Sequence, residues 1–294
     1  MSDTSASLRR KIASAGELES VVRTMKAMAA SSIGQYENAV RSLDDYYRSV
    51  QLGLAVLIRK SEPVQVPARV RKKETCEIAA IVFGSDQGLV GQFNDVMAGF
   101  VVETLGKLAG KKIVWAVGER IHSHLANTDM PQGKFFSLPG SIRAITPLVG
   151  QILLKLEKYR EQNENGQIYL FHHCPDAGAI YTPVTQRLLP LDEVWRRELS
   201  TLRWPTKNLP EVMNDSESTL QALVREYLFV SLFRACAESL ASENASRLTA
   251  MQRAEKNIDE LLEDLNLTFH RLRQNKIDEE LFDVVSGFEA LNTE

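Results

Sequence analysis

The sequence predicts two long terminal helices that pair as an antiparallel coiled coil, with an inserted α/β domain that contains a mainly parallel sheet. Proline is confined to the middle, between Pro63 and Pro210, and glycine is also absent from Glu211 to Ser286. Both ends carry apolar residues at heptad spacing, whereas the middle alternates β-branched runs with helical patterns. We therefore expect an N-terminal coiled-coil helix at 1–62, an α/β domain at 63–210 and a C-terminal coiled-coil helix at 211–294.

The N-terminal stretch shows two apolar series that each repeat every seven residues and are offset by four. Together they form the 3/4 alternation of a coiled-coil seam, which only Glu19 and Lys26 interrupt. The first series is Leu8, Ala15, Val22, Ala29, Tyr36, Leu43, Val50 and Leu57, and the second is Ile12, Ile33, Val40, Tyr47 and Leu54.

The C-terminal stretch repeats the pattern, with Glu255 as the interruption, and steps by five residues from Leu272 to Ile277. Such a step resembles a stutter, and we expect the seam to resume beyond it at Leu281, Val284, Phe288 and Leu291. A helix from residue 211 to 286 would be about 110 Å long and the N-terminal helix about 80 Å, which exceeds a globular domain of this size. The two helices must therefore pair, and the connection through the middle makes them antiparallel. The seam positions are Leu248, Met251, Ile258, Leu262, Leu265, Phe269 and Leu272.

Charged residues in this seam predict a specific contact. Glu19, Lys26, Glu255 and Lys276 would each be costly to bury without a partner. Two registers of the helices are plausible, with Lys26 opposite either Met251 or Ile258. In each of them Glu255 lies in the layer next to Lys26. We therefore expect Lys26 and Glu255 to lie close together. The alternative is that one of these charges meets a surrounding protein.

The middle of the chain predicts alternating strands and helices. A β-branched run ends at Gly84 and is followed by a loop and a helix, and further runs show the same order. The predicted strands are Glu77–Phe83, Lys112–Val117, Gln167–His172 and Tyr181–Leu189, and the predicted helices are Phe93–Leu108 and Ile145–Tyr159.

Composition excludes several classes of protein. Hydrophobic residues make up 44% of the 294 residues, charged residues 25%, and the net charge is −3. Such a charge gives no strong attraction to nucleic acid or anionic lipid. The longest apolar stretches are far shorter than the ~20 residues of a membrane span. The three cysteines are isolated, with no CxxC pair, which favours free thiols in a reducing compartment.

Two segments of the middle have residues that could carry chemistry. The segment Gly84–Gly91 follows a strand as a phosphate loop would, but it is neither GxGxxG nor a Walker A motif, so a structural turn with a helix cap is favoured. His172 and His173 end a strand beside Cys174, but no second cluster supplies further ligands for a metal. We expect no catalytic residues, no cofactor and no metal.

Several segments resemble the gamma subunits of F-type ATP synthases. Residues 238–251 resemble the family's "ENLASEQAARMVAM", and residues 280–287 resemble "TxELxEIVSGA". Near the N-terminus, residues 11–14 and 25–31 are similar to "KIAS" and "AMEMVAAS". Residues 84–94 resemble "TSDRGLCGGFN". The resemblance covers both helices and the middle domain in the same order.

The resemblance implies a non-catalytic rotary shaft, the central stalk of an F-type ATP synthase. Its implied partners are the alpha and beta subunits of the catalytic hexamer, the epsilon subunit and the membrane ring of c subunits, with no nucleic acid. The implied location is peripheral, at the cytoplasmic face of a bacterial inner membrane. The shaft would couple ion flow through the ring to conformational change in the catalytic subunits. The positions that match family contacts are Met25, Lys26, Arg247, Met251, Arg273, Gln274 and Glu280.

Some positions depart from the family pattern. In the middle motif Gln87 replaces arginine, Val90 replaces cysteine and Gln92 replaces glycine, and Asp278 replaces threonine near the end. With a sequence pI of about 6.0, these departures would fit a divergent second ATPase of a bacterium, including one that pumps sodium. Two other hypotheses stay open: a coiled-coil adaptor with an α/β recognition domain, and a nucleotide-binding α/β enzyme that uses Gly84–Gly91.

Overall fold

The computed structural model describes residues 4–60, 77–163, 166–176, 180–190, 197, 199, 201–208, 210–212 and 215–291. The predicted domain boundary at 62 and 63 and Cys76 lie outside these residues. The chain divides into two compact units, one made of 1–29 with 247–294 and the other of 30–246. Among the described helices, none is both long enough and apolar enough to cross a bilayer.

Helix α1 runs from Ser5 to Lys60 and confirms the predicted N-terminal helix. The hydroxyl of Thr4 caps its first turn by accepting a hydrogen bond from the backbone N–H of Ser7 at 3.3 Å. Every predicted apolar seam position of α1 is buried or half-buried, which confirms the seam.

The first strand, β1 (Glu77–Phe83), starts a five-stranded sheet in the larger unit. The sheet continues with β2 (Lys111–Val117), β3 (Gln132–Phe136), β4 (Gln167–Cys174) and β5 (Thr182–Leu189). The strand order is β3-β2-β1-β4-β5. All neighbours are parallel except β4 and β5, which are antiparallel. The predicted mainly parallel sheet is therefore confirmed.

The sheet is covered on both faces because successive residues of its buried strands point to opposite sides. On one face, Ile78, Ala80 and Val82 pack against α2 (Phe93–Gly106) and α3 (Glu119–Ala126). On the other, Ala79, Ile81 and Phe83 pack against α4 (Ile145–Gln162), against α1 and against α5 (Ser216–Leu291). The long helices are thus part of the core of the larger unit.

In the smaller unit, α1 and α5 run antiparallel. Lys26 contacts Glu255, and the guanidinium carbon of Arg9 lies 5.3 Å from the centre of the Phe269 ring. Residues nearer the start of α1 therefore contact residues nearer the end of α5. By this register Ser5, the first residue of α1, lies opposite about residue 273 of α5.

The apolar positions of α5 beyond this point are exposed. Ile277, Leu281 and Val284 have exposed fractions of 53%, 60% and 72%, whereas Leu272 is still half-buried. The predicted continuation of the seam past the five-residue step is therefore wrong for the chain by itself, because no residue of α1 lies opposite it.

The sequence missed some elements and misplaced one boundary. Strand β3 and helix α3 were not among the predicted elements. Helix α5 begins at Ser216 instead of Glu211, because the Asp215 carboxylate accepts a hydrogen bond from the Ser218 N–H at 3.0 Å and caps the helix there. The helix also continues beyond Ser286 to Leu291.

Candidate functional site

The loop that follows β1 is held closed by its own side chains. Asn94, in the first turn of α2, accepts a hydrogen bond from the Ser85 N–H at 3.0 Å and donates one to the Ser85 hydroxyl at 2.8 Å. The carboxylate of Asp86 accepts hydrogen bonds from the N–H groups of Glu119 and Leu138. These bonds fix the loop against the carboxyl ends of the strands and against α3.

Beside this loop, β1 and β4 form the point at which the order of the strands reverses. Ligands of doubly wound sheets bind in the crevice outside the carboxyl ends of such a strand pair. In this chain α5 enters the crevice. The Ser246 hydroxyl donates a hydrogen bond to the Val90 carbonyl at 2.6 Å, and the Ser242 hydroxyl donates one to the His173 carbonyl at 3.3 Å. The position that a nucleotide would occupy is thus taken by a helix of the same chain.

A third contact lies one turn earlier on the same helix. The His172 Nε2–H donates to the Glu238 carboxylate at 2.9 Å, and Arg234 Nε donates to its other oxygen at 2.7 Å. Burial acts to raise the pKa of Glu238, but the hydrogen bonds from His172 and Arg234 outweigh it and hold the pKa below its usual value. Glu238 is therefore a buried, ionised anchor. We call Glu238, Ser242 and Ser246 the polar stripe of α5.

The neighbouring His173 is fully buried and neutral. Desolvation lowers its pKa to about 4. Its Nε2 atom lies 2.9 Å from the Phe93 carbonyl, and because a carbonyl only accepts, this nitrogen carries the proton. The ring also packs against the aromatic rings of Phe93 and Tyr181, at centroid distances of 4.2 and 4.4 Å.

These contacts give the two histidines a structural role. Among the described residues, no group of three or more His, Cys, Asp or Glu side chains is arranged to hold a metal ion. Glu238, the partner of His172, lies on a helix 66 residues further along the sequence. The sequence alone therefore could not identify it.

In the smaller unit, the predicted pair is present. Lys26 Nζ lies 2.5 Å from Glu255 Oε2, and Arg23 Nε lies 3.3 Å from Glu255 Oε1. Arg23 also pairs with Glu19. The hydrogen bond from Lys26 lowers the pKa of Glu255, although its partial burial acts in the opposite direction. The prediction that Lys26 and Glu255 lie close together is confirmed, and two cations balance two carboxylates in this cluster.

The other predicted contact residues occupy different environments. Met25 and Arg247 are half-buried and Met251 is buried, with 2% of its surface exposed. Arg273 and Gln274 are exposed on α5, as is Glu280, whose carboxylate lies 3.9 Å from Lys276 Nζ. The exposed side chains are the ones available to another protein, and the predicted contacts themselves stay predictions.

Sequence reasoning did not identify the polar stripe as a site, although it lies within the segment that carried the resemblance. The available signal was its spacing. Polar residues four apart share one face of a helix, and here they interrupt a stretch of buried apolar residues. The stripe residues have exposed fractions of 8%, 0% and 7%.

Comparisons with known proteins agree with this fold. The family model described as ATP synthase matches residues 4–291. The ATP synthase gamma chain of Polynucleobacter necessarius is 27% identical, with 97% of this chain and 98% of the relative covered. The gamma chain of Cyanothece sp. is 28% identical, with the same coverage of 97% and 98%.

Solved structures share the fold. A chain in the cryo-EM structure of the Euglena gracilis mitochondrial ATP synthase OSCP/F1/c-ring, in rotational state 3, aligns with a TM-score of 0.66 at 15% identity. This alignment covers 97% of this chain and 93% of that one. Since the family model spans almost the whole chain, the chain belongs to the ATP synthase gamma-chain family.

Proposed function

We propose that this chain is the rotary central-stalk subunit of an F-type ATP synthase and couples ion flow through a membrane ring to conformational change in the catalytic subunits. The observation that carries the proposal is the match of the family model over residues 4–291. The paired helices of the smaller unit support it, because they provide a long surface on which contacts can differ from one side to another.

The mechanism follows from the asymmetry of such a shaft. A shaft that turns inside a ring of similar subunits presents a different set of side chains to each one. Differential contacts shift the conformational equilibrium of each subunit differently. In this proposal the exposed Arg273 and Gln274 contact a catalytic subunit, and Met25 with Lys26 lies at another such contact. Arg247 and Met251 belong to the segment of α5 that couples to these contacts, and Glu280 lies near the tip of the shaft.

The proposal assigns no catalytic residue to this chain. Its partners are the alpha and beta subunits of the hexamer, the epsilon subunit and the ring of c subunits. Its location is peripheral, at the cytoplasmic face of a bacterial inner membrane. The exposed apolar residues near the end of α5, among them Phe282 at 68% exposure, support burial of this end by other subunits.

The hypothesis of a nucleotide-binding enzyme is disfavoured because the crevice between β1 and β4 is filled. Serine hydroxyls of α5 occupy it and donate hydrogen bonds to the carbonyls of Val90 and His173. A nucleotide could enter only if α5 left the sheet and exposed much of the core.

The proposal is tested by co-expressing the chain with the other subunits of its complex and purifying through a tagged beta subunit. We expect the chain to copurify, and a probe on it to rotate when ATP is hydrolysed. An adaptor unrelated to ATP synthases would not copurify. Titration of the full chain with ATP should give no heat of binding, and tight binding would contradict the proposal.

A further inference from the structure

We propose that the polar stripe of α5 (Glu238, Ser242 and Ser246) is the joint that transmits torque between α5 and the sheet, and that these three residues are positioning residues for rotary coupling. This inference rests on the proposed function. In a rotary shaft the two long helices and the sheet must turn together, so that any slip of α5 against the sheet is lost motion.

The direction of the contacts is the first argument. The stripe residues are spaced by four and face the carboxyl ends of the sheet in successive turns of α5. Apolar packing is non-directional and tolerates a small rotation of a helix about its axis. A hydrogen bond from a hydroxyl to a carbonyl weakens steeply when its angle is distorted. The stripe is therefore the part of this interface that opposes rotation most strongly.

The acceptors of these bonds are themselves fixed, which a stiff joint requires. The Val90 carbonyl belongs to the loop closed by the bonds between Ser85 and Asn94. His173 is held from its other side by the Phe93 carbonyl. A force on the stripe is thus passed to β1, β4 and α2 together.

Glu238 extends the joint to the other long helix. Arg234, which donates to Glu238, also lies 3.6 Å from the carboxylate of Asp44 on α1. His172 on β4, Glu238 and Arg234 on α5, and Asp44 on α1 form one chain of charges and hydrogen bonds. Both long helices are thereby tied to the same strand.

The helix offers a matched control. Ser239 lies beside the stripe and is equally buried, at 1% exposure, but its hydroxyl has no hydrogen-bond partner within the described structure. Ser239→Ala removes the same group as Ser242→Ala or Ser246→Ala without removing a contact to the sheet.

The experiment uses the assembled complex, with its hexamer fixed to a surface and a bead attached to Lys107→Cys, an exposed position of the α/β domain. Torsional stiffness is read from the angular variance of the bead during pauses in rotation. We expect Ser242→Ala with Ser246→Ala to increase this variance about twofold, since two of the three directional contacts are lost. Ser239→Ala should match the parent complex. Ion pumping per ATP hydrolysed should fall in the double variant only.

The outcomes separate this inference from the proposed function. An unchanged variance in a double variant that assembles and rotates would overturn the joint while leaving the rotary function in place. Failure of the parent chain to assemble or rotate would overturn both. If the double variant does not fold, Ser246→Ala alone gives the same comparison with Ser239→Ala, because it removes the 2.6 Å bond to the Val90 carbonyl and leaves Ser242 in place.

Discussion

Lys26 Nζ of α1 lies 2.5 Å from Glu255 Oε2 of α5, although the two residues are 229 positions apart in the sequence. The pair occupies a seam that is mostly apolar, and Arg23 reaches the second oxygen of the same carboxylate. Such a contact fixes which residues of two helices face each other, since a shift by one turn would leave each charge beside apolar side chains.

We predict that Lys26 and Glu255 are energetically coupled. Lys26→Met and Glu255→Gln should each destabilise the chain, and the double variant should lose less than the sum of the two. A double-mutant cycle in urea measures this difference, and added salt should reduce it because the pair is partly exposed. Cross-linking of Lys26→Cys with Glu255→Cys checks the geometry. Additive effects together with no cross-link would contradict the register.

We also predict that the exposed residues Arg273 and Gln274 act on the catalytic subunits. Alanine at either position should lower ATP turnover of the assembled complex, with the subunit composition unchanged, because neither side chain is needed for burial in the chain itself. Lys256→Ala, an exposed position of the same helix that pairs with Glu260 one turn away, serves as the control. Normal turnover and pumping in both variants would remove these residues from the contact set.

A pH dependence follows from His173. Its pKa is lowered from 6.5 to about 4 in the folded chain, so the unfolded chain takes up a proton first as the pH falls. The contribution of His173 to the free energy of unfolding is therefore fully present above about pH 6.5, and it is lost as the pH falls from about 6.5 to 4. Between pH 7 and 5 this single group should cost about 2 kcal/mol of unfolding free energy.

The comparison variant for this measurement is His173→Gln, which keeps a donor for the Phe93 carbonyl but does not titrate. Urea unfolding at pH 7 and at pH 5 gives, for the parent and for the variant, the change in unfolding free energy between the two pH values. The parent should lose about 2 kcal/mol more than the variant. Equal losses would mean that His173 is not the neutral, desolvated group described above.

Gly84 and Gly99 should respond to alanine in opposite directions. At Gly84 an added Cβ would lie 2.2 Å from Ile121 Cβ and 2.8 Å from Asn94 Oδ1, so the loop after β1 would have to move. We expect Gly84→Ala to destabilise the chain by about 1–3 kcal/mol. At Gly99 in α2 nothing lies within 4 Å, and Gly99→Ala should stabilise by about 0.5–1 kcal/mol. Thermal unfolding measures both, and a neutral Gly84→Ala would show that the loop is loose.

The regular elements were predictable because their sequence signals are local. The run Glu77–Phe83 is apolar and β-branched and became β1 with those bounds. The heptad seam likewise fixed which face of α1 is buried. Strand β3 was missed because three of its five residues are exposed, which leaves neither alternation nor an apolar run to recognise.

The candidate site was only half predictable. Lys26 and Glu255 could be paired because each interrupts a periodic pattern, so that register alone brings them together. The link between His172 and Glu238 joins a strand to a helix across the fold, and no periodicity relates the two. The same limit left both histidines without a predicted partner, whereas His172 contacts the Glu238 carboxylate and His173 contacts the Phe93 carbonyl.

The partners of α1 have a consequence for how the protein is made. Tyr46 contacts Glu226 at a separation of 180 residues, and Lys26 contacts Glu255 at 229. At about 5–20 residues per second, the ribosome completes α1 roughly 10–40 s before the residues that cover it emerge. Throughout that interval the face of α1 that pairs with α5 lacks its native partner, so we expect its apolar residues outside the sheet contact to stay exposed on the nascent chain.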